Sequence, residues 1–429
     1  MAKDTCKKLR NQMMYQIFVR NYSEEGTFAK VQHDLDRIKA LGTDIIWLMP
    51  IHPIGETARK GGLGSPYAIS DYRAINPEFG TLGDFKSLVG MIHHKGMKCI
   101  IDVVYNHTSP DSVLSKTHPE WFYHKPDGSF GNRVGDWTDI IDLDYSNEEL
   151  WDYQIETLKM WAELVDGFRC DVAPLIPIEF WERARREVEE VRPGAIWLSE
   201  SVEPGFITYM RSQGLTALSD SEIYRAFDLS YDYDCYEAFK NYFYGGGSLQ
   251  AYADAINRQE YTFPGNYVKL RFLENHDQTR ARFFIPDINA LKAWTAFMFF
   301  QKGMPLIYAG QEKAVSHLPS LFDKDTVQWN GAETVDLSSY IAKLAEIKRL
   351  DIFTDSSYQV KAAGNDALVA THEKNGEKAV GIFPLKGQTA FIPVDMPDGV
   401  YCNLLDGSAV EVFRGGMMCF GKAAVIIQN

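Results

Sequence analysis

The sequence lacks any apolar run long enough to span a bilayer, which argues against a helical membrane protein. Its N-terminus, MAKDTCKKLRNQ, lacks the apolar centre of a secretion signal. Cysteine is sparse. The six residues Cys6, Cys99, Cys170, Cys235, Cys402 and Cys419 show none of the short paired spacing of a zinc site. Several lie in apolar runs, where a free thiol packs as a small hydrophobe, so the expected location is a reducing cytoplasm. Positive charge is in deficit: 44 Lys and Arg face 58 Asp and Glu, a net charge of -14. That balance argues against nucleic-acid and membrane-surface partners. There is no internal repeat, no low-complexity segment and no readable signal of oligomeric state.

What is present is a chain of 429 residues with 45% hydrophobic content, ample for a large core and for more than one domain. Strand-like and helix-like stretches alternate over most of it. Strand candidates fall at 13–20, 44–50, 98–107, 165–173, 195–201, 227–231, 267–277 and 303–312. Helical patterns fall near 30–41, 82–95, 148–163 and 179–191. Strands separated by helices in this rhythm predict an α/β fold, a (β/α)8 TIM barrel, over residues 1–107 and 142–350. The segment 108–141 is rich in Pro, Gly, Asp and aromatics without a helical period, and it predicts a short inserted domain after strand three. From 351 to 429 short alternating runs are separated by Gly-Asn, Asp-Gly and Gly-Gly turns, which predicts an antiparallel C-terminal β-sandwich.

Acidic and polar residues cluster at the far ends of four of the strand candidates, which read DVVYNH, GFRCDVA, WLSES and FLENHD. An unpaired buried carboxylate is expensive. A shared pocket at one end of a barrel is the usual reason for several of them. The two-residue period places Arg169 and Asp171 on one face of their strand, with Phe168 and Cys170 on the other. A cation that close lowers a carboxylate pKa by roughly 1–3 units, which suits a nucleophile. Taken alone, the pair is equally a structural ion pair.

Glu200 ends the apolar run AIWLSE. Burial there would raise its pKa and keep it protonated near neutral pH, as a general acid requires. Glu203 and Glu222 are nearby competitors, and a lone glutamate at a strand end is as a rule solvated. His276 and Asp277 are adjacent, so they share a pocket only if the chain turns there. His107 is ambiguous in isolation. Three carboxylates without a nucleophilic Ser or Cys arrangement point to acid–base and nucleophile chemistry on an acetal, for which a retaining glycosidase needs two carboxyl groups about 5–5.5 Å apart. A metal-dependent hydrolase fits less well, because no two-His pattern sits on the strand ends.

These four motifs, in this order and strand placement, resemble glycoside hydrolase family 13, the α-amylase family. The segments GSPYAISDY, IIDLDY and YAGQE are similar to family segments as well. The resemblance implies a retaining endo-type α-glucan hydrolase acting on α-1,4 bonds of maltooligosaccharides, starch or glycogen. It implies Asp171 as nucleophile, Glu200 as acid/base and Asp277 as transition-state stabiliser. Tyr67, His107, Arg169 and His276 would bind the sugar at the cleavage point, and Asp102 would support Arg169. Many relatives hold a structural calcium between the insertion and the barrel. Asn106 and Asp142 match its ligand positions, with a backbone carbonyl available from Leu175, and both side chains offer the oxygen donors that calcium prefers. No organic cofactor is expected.

The chain departs from the family pattern in two places. Pro174 and Leu175 stand where many α-amylases carry Lys-His. Gly64 stands where exo-acting α-glucosidases of the family carry an aspartate, which favours an open cleft. An α-glucosidase, a glucanotransferase and a non-catalytic carbohydrate-binding barrel are the competing expectations.

Overall fold

The computed structural model describes residues 2, 4–363 and 366–428. Eight parallel strands close into a barrel: β1 (Met14–Ile17), β2 (Ile45–Leu48), β3 (Lys98–Val103), β4 (Gly167–Cys170), β5 (Ile196–Ser199), β6 (Leu229–Tyr231), β7 (Val268–Arg271) and β8 (Met304–Tyr308). Each hydrogen-bonds its neighbours in chain order, and β1 pairs with both β2 and β8. Runs such as Ile45–Leu48 are buried at every position, because one face meets the barrel interior and the other meets helices. This is why they read as continuous apolar stretches and not as alternating ones.

The helices close the outside by periodicity. Leu82–His94 begins at a capping box between Thr81 and Asp84 and buries Phe85, Leu88, Val89 and Ile92, a spacing of three and four residues. Full burial of each such side chain is worth roughly 1.5–3 kcal/mol. Gly167 opens β4 at φ +155°, where a Cβ would lie 2.1 Å from the carbonyl oxygen of Ile196 on β5. Only glycine lets these two strands start side by side, and β4 carries the residues that matter most below.

Several boundaries differ from the sequence reading. The barrel strands stop earlier: β3 ends at Val103 and not at His107, and β7 ends at Arg271 and not at Asp277. Beyond those points, among the described residues, no neighbouring barrel strand continues the parallel ladder, and the chain leaves the barrel. The helix expected near 30–41 is two helices, Phe28–His33 and Leu35–Ala40, broken at Asp34. The insertion contains a short helix, Val113–Thr117, whose N-cap Ser112 accepts from Ser115 N. The insertion returns to the barrel through a two-residue antiparallel ladder that pairs His107 with Asp142 and Thr108 with Ile141.

After the helix Ser338–Lys348 the chain builds two antiparallel four-stranded sheets. One contains Ser357–Ala362, Ala367–Lys374, Glu377–Pro384 and Ala424–Gln428; the other contains Thr389–Pro393, Gly399–Cys402, Ala409–Phe413 and Gly416–Phe420. They share one apolar cluster, in which Val380, Ile382 and Ile426 of the first meet Ile392, Val412 and Met417 of the second. No helix among the described residues is long and apolar enough to cross a membrane.

Candidate active site

Arg169 is the hub of the barrel mouth. It lies on β4 with its side chain fully buried, and its guanidinium sits within 5.2–5.6 Å of the ring centres of Trp47, Tyr67 and Tyr231. The weakly hydrated, planar cation tolerates such an aromatic lining better than an ammonium would. Its Nη1 donates to Asp102 Oδ1 and to Asp171 Oδ1, each at 2.7 Å. Its Nη2 lies 2.9 Å from Glu200 Oε2 without an aligned hydrogen bond. One cation therefore contacts three carboxyl groups from β3 and the ends of β4 and β5.

The turn after β4 ties two of these groups together. Val172 directly follows Asp171 and adopts φ 35°, ψ 40°, a left-handed conformation that is rare for a β-branched residue. In that conformation its backbone N–H donates to Glu200 Oε2 at 2.8 Å. Strain of this kind costs on the order of 1–3 kcal/mol and persists where the surroundings enforce it. Sequence reading missed it, because nothing about a valine signals a positive φ.

On the opposite side of the mouth the chain turns at Asn275–Asp277. Asn275 Oδ1 accepts from Asp277 N at 2.9 Å, and the turn brings His276 Nε2 to 3.0 Å from Asp277 Oδ2. Thus the two adjacent residues do face one pocket, as their placement past the strand end requires. Tyr67 stacks on the His276 ring at 5.4 Å, and its hydroxyl lies 2.5 Å from His276 Nε2 and 3.3 Å from Asp102 Oδ2. Gln16 Nε2 approaches His276 Nδ1 at 2.6 Å. With Gln16 donating, the ring proton sits on Nε2, toward Tyr67 and Asp277. Gln16 was not singled out from the sequence, yet a polar side chain inside the otherwise apolar strand MYQI was a readable signal. His107 Nε2 stands 4.0 Å from Asp171 Oδ2, and its ring meets Trp137 of the insertion at 5.6 Å.

The electrostatics correct one expectation. Arg169 was expected to depress Asp171, but burial outweighs the guanidinium, and with Asp102 and Asp277 nearby it raises Asp171 to about 6. Asp102 is raised to about 6, again chiefly by burial against the pull of Arg169. Glu200 follows the expected direction: burial lifts it to about 8, opposed by Arg169 and assisted by Asp171 and Asp277. Asp277 behaves differently. Desolvation pushes it up, but His276, its hydrogen bond and Arg169 prevail and hold it below the ordinary carboxylate range. Its side chain is 37% exposed to the cleft, against 8% for Asp171 and 10% for Glu200. Burial lowers His107 to about 4, which leaves it neutral near pH 7.

Asp142 lies on the ladder that closes the insertion, and Asn106, just before that ladder, lines one cavity with it. Asp142 Oδ2 accepts from the backbone N of Arg133 at 2.7 Å, whereas Oδ1 is buried without a partner. A different group, Asp232, Asp234 and Cys235, is compact enough to hold an ion, but Arg271 already pairs with Asp232 at 2.7 Å and Lys269 with Asp234 at 2.8 Å. Gly64 sits at φ +78°, and a Cβ there would lie 2.8 Å from Arg59 Cγ and 2.9 Å from Ile54 Cγ2. An aspartate at this position would strain the loop.

Comparison with known proteins places the chain in a family. The model of the Alpha amylase catalytic domain family matches residues 12–133 and 114–349. The chain belongs to the α-amylase family. The Bacterial Alpha amylase C-terminal domain matches residues 359–427, the two-sheet region. The solved structure of an α-amylase from Lactobacillus plantarum is 50% identical, with a TM-score of 0.95 over 99% of this chain and 100% of that one. That of a noncanonic maltogenic α-amylase, AmyB, from Thermotoga neapolitana is 33% identical, with a TM-score of 0.87 over 98% and 99%. Among sequence relatives, the α-amylase MalA of Haloarcula japonica is 27% identical over 90% of this chain, and an α-1,4-glucan:maltose-1-phosphate maltosyltransferase of Myxococcus xanthus is 32% identical over 59%. The chain spans 57% and 39% of the length of those two relatives.

Proposed function

We propose that this α-amylase family member is a retaining, endo-type α-glucan hydrolase that cleaves α-1,4-glucosidic bonds of maltooligosaccharides or of starch and glycogen. The observation that carries the reading is the contact of one guanidinium, Arg169, with both Asp171 and Glu200. A glycosidase needs its two carboxyl groups to flank one glycosidic bond, and a single planar cation in contact with both holds them close together in one pocket.

In this reading Asp171 attacks the anomeric carbon as Glu200 gives its proton to the departing glycosidic oxygen. Glu200, now ionised, then takes a proton from the water that releases the sugar from Asp171. Asp277, the most open of the three, binds ring hydroxyls and stabilises the oxocarbenium-like transition state. Tyr67 supplies an apolar platform for the sugar ring, and His107, Arg169 and His276 bind and orient it. Gly64, in place of a chain-end cap, supports an open cleft. All six cysteines are free, which suits a reducing compartment with imported maltooligosaccharides or stored glycogen as substrate.

The assigned proton states predict a bell-shaped profile for kcat/KM. Activity rises as pH passes about 6, where Asp171 loses its proton, and falls above about 8, where Glu200 loses the one it must donate. The two groups interact, so the limbs belong to the pair. A profile flat from pH 5 to pH 9 contradicts the assignment.

A second reading, glycosyl transfer to a sugar acceptor, is favoured by the similarity to a maltosyltransferase. Pro174 and Leu175 also leave the leaving-group side without a lysine contact. A time course on maltoheptaose separates the two readings. Internal cuts with no product longer than the substrate support the hydrolase. Early appearance of longer chains, or transfer from maltose 1-phosphate to a glucan, supports the transferase.

A further inference from the structure

The family resemblance implies calcium at Asn106 and Asp142, but one oxygen of Asp142 already faces a cation of the chain itself. Calcium takes 6–8 oxygen ligands at close range. On its Oδ2 side Asp142 faces the guanidinium of Arg133. Arg133 donates its backbone N to Asp142 Oδ2 at 2.7 Å and brings Nη1 to 3.6 Å from the same oxygen. That Nη1 also donates to the Leu143 carbonyl at 3.2 Å, and Nη2 lies 3.9 Å from Asp144 Oδ1. The guanidinium also lies over the Tyr123 ring, 4.5 Å from its centre. A divalent ion seated on Asp142 would lie near this positive charge, and like charges repel.

We infer that Arg133 is the built-in cation that fastens the inserted segment to the barrel at Asp142, and that through the His107–Asp142 ladder it positions His107 beside Asp171. The path is short. Arg133 holds Asp142, Asp142 pairs with His107 across the ladder, and His107 Nε2 is 4.0 Å from Asp171. Arg133, Asn106, Asp142, Asp144 and Leu175 line one cavity of about 360 Å³. Withdrawing the guanidinium would take the cation away from Asp142 Oδ2 and from the Asp144 carboxylate. This inference uses the reaction assigned above only for the kinetic readout, and the thermal readout stands without it.

The test compares the wild-type chain with Arg133→Ala and Arg133→Lys, each with millimolar EDTA and with millimolar CaCl2, by thermal unfolding and by kcat and KM on maltoheptaose. The wild-type Tm should not respond to either addition. Arg133→Ala should lower Tm by at least about 2–4 °C and raise KM several-fold with a smaller change in kcat. Arg133→Lys should recover most of both losses, and calcium should restore part of the Tm of Arg133→Ala alone. A wild-type Tm that falls in EDTA and returns with calcium overturns the inference, because a bound metal is then the fastening cation. So does an Arg133→Ala chain with wild-type Tm and KM. If Arg133→Ala does not fold, the EDTA response of the wild type and the Tm of Arg133→Lys decide between the same outcomes. Should no variant or wild-type chain turn over maltoheptaose, the proposed function fails, while the Tm comparison still decides the role of Arg133.

Discussion

Replacement of Asp171 by Asn is expected to lower kcat on maltooligosaccharides by on the order of 10⁴-fold or more, with the fold retained. Asparagine keeps the size of the side chain and can still accept a hydrogen bond from Arg169 through its amide oxygen. It has no anionic oxygen with which to form the covalent glycosyl intermediate, so the reaction loses its first step. Arg169 remains paired with Asp102 at 2.7 Å and in contact with Glu200 at 2.9 Å, so no buried cation is left without a partner. The variant should unfold within a few degrees of the wild type and still bind maltooligosaccharide, which calorimetry with maltoheptaose would measure. Turnover near the wild-type rate would refute Asp171 as nucleophile.

Replacement of Arg169 by Met is expected to damage both stability and rate. It removes the cation that contacts all three of Asp102, Asp171 and Glu200, whose side chains are 0%, 8% and 10% exposed. Breaking a buried pair from one side costs about 3–5 kcal/mol, because the remaining charges lose their compensation. The carboxyl groups can escape part of that cost by taking up protons. The sign of the pH effect follows. Without the guanidinium, Asp171 is raised further above its ordinary value, so it holds its proton to higher pH. The acid limb of the kcat/KM profile, set near 6 by the wild-type Asp171, should move upward, and the peak should fall by roughly 10²-fold or more. Chemical denaturation and a pH series on the same preparation measure both effects. An acid limb that stays near 6 would show that Arg169 does not control Asp171.

The expected and observed arrangements agree where the information is local. The strand runs IIWL, KCIIDV and AIWLS were readable because burial on both faces demands continuous apolar residues. Arg169 and Asp171 were readable as a pair because a strand repeats every two residues, and the 2.7 Å contact follows from that period. Gln16 and Arg133 went unnoticed for a shared reason: each acts on a residue more than eight positions away, His276 and Asp142, so no spacing rule links them. The strand ends at His107 and Asp277 were misplaced because an extended sequence looks the same whether or not a neighbour supplies its ladder.

By itself the sequence determined the alternation that builds a barrel, the order of its acidic strand ends and the turn-rich second region, since each depends on period and composition within a short window. Only the tertiary structure decided which carboxyls share Arg169, that Val172 turns its N–H onto Glu200, and that a guanidinium stands against Asp142. It also reversed the expected direction for Asp171, because desolvation sums over every neighbour in three dimensions and one adjacent cation does not set it.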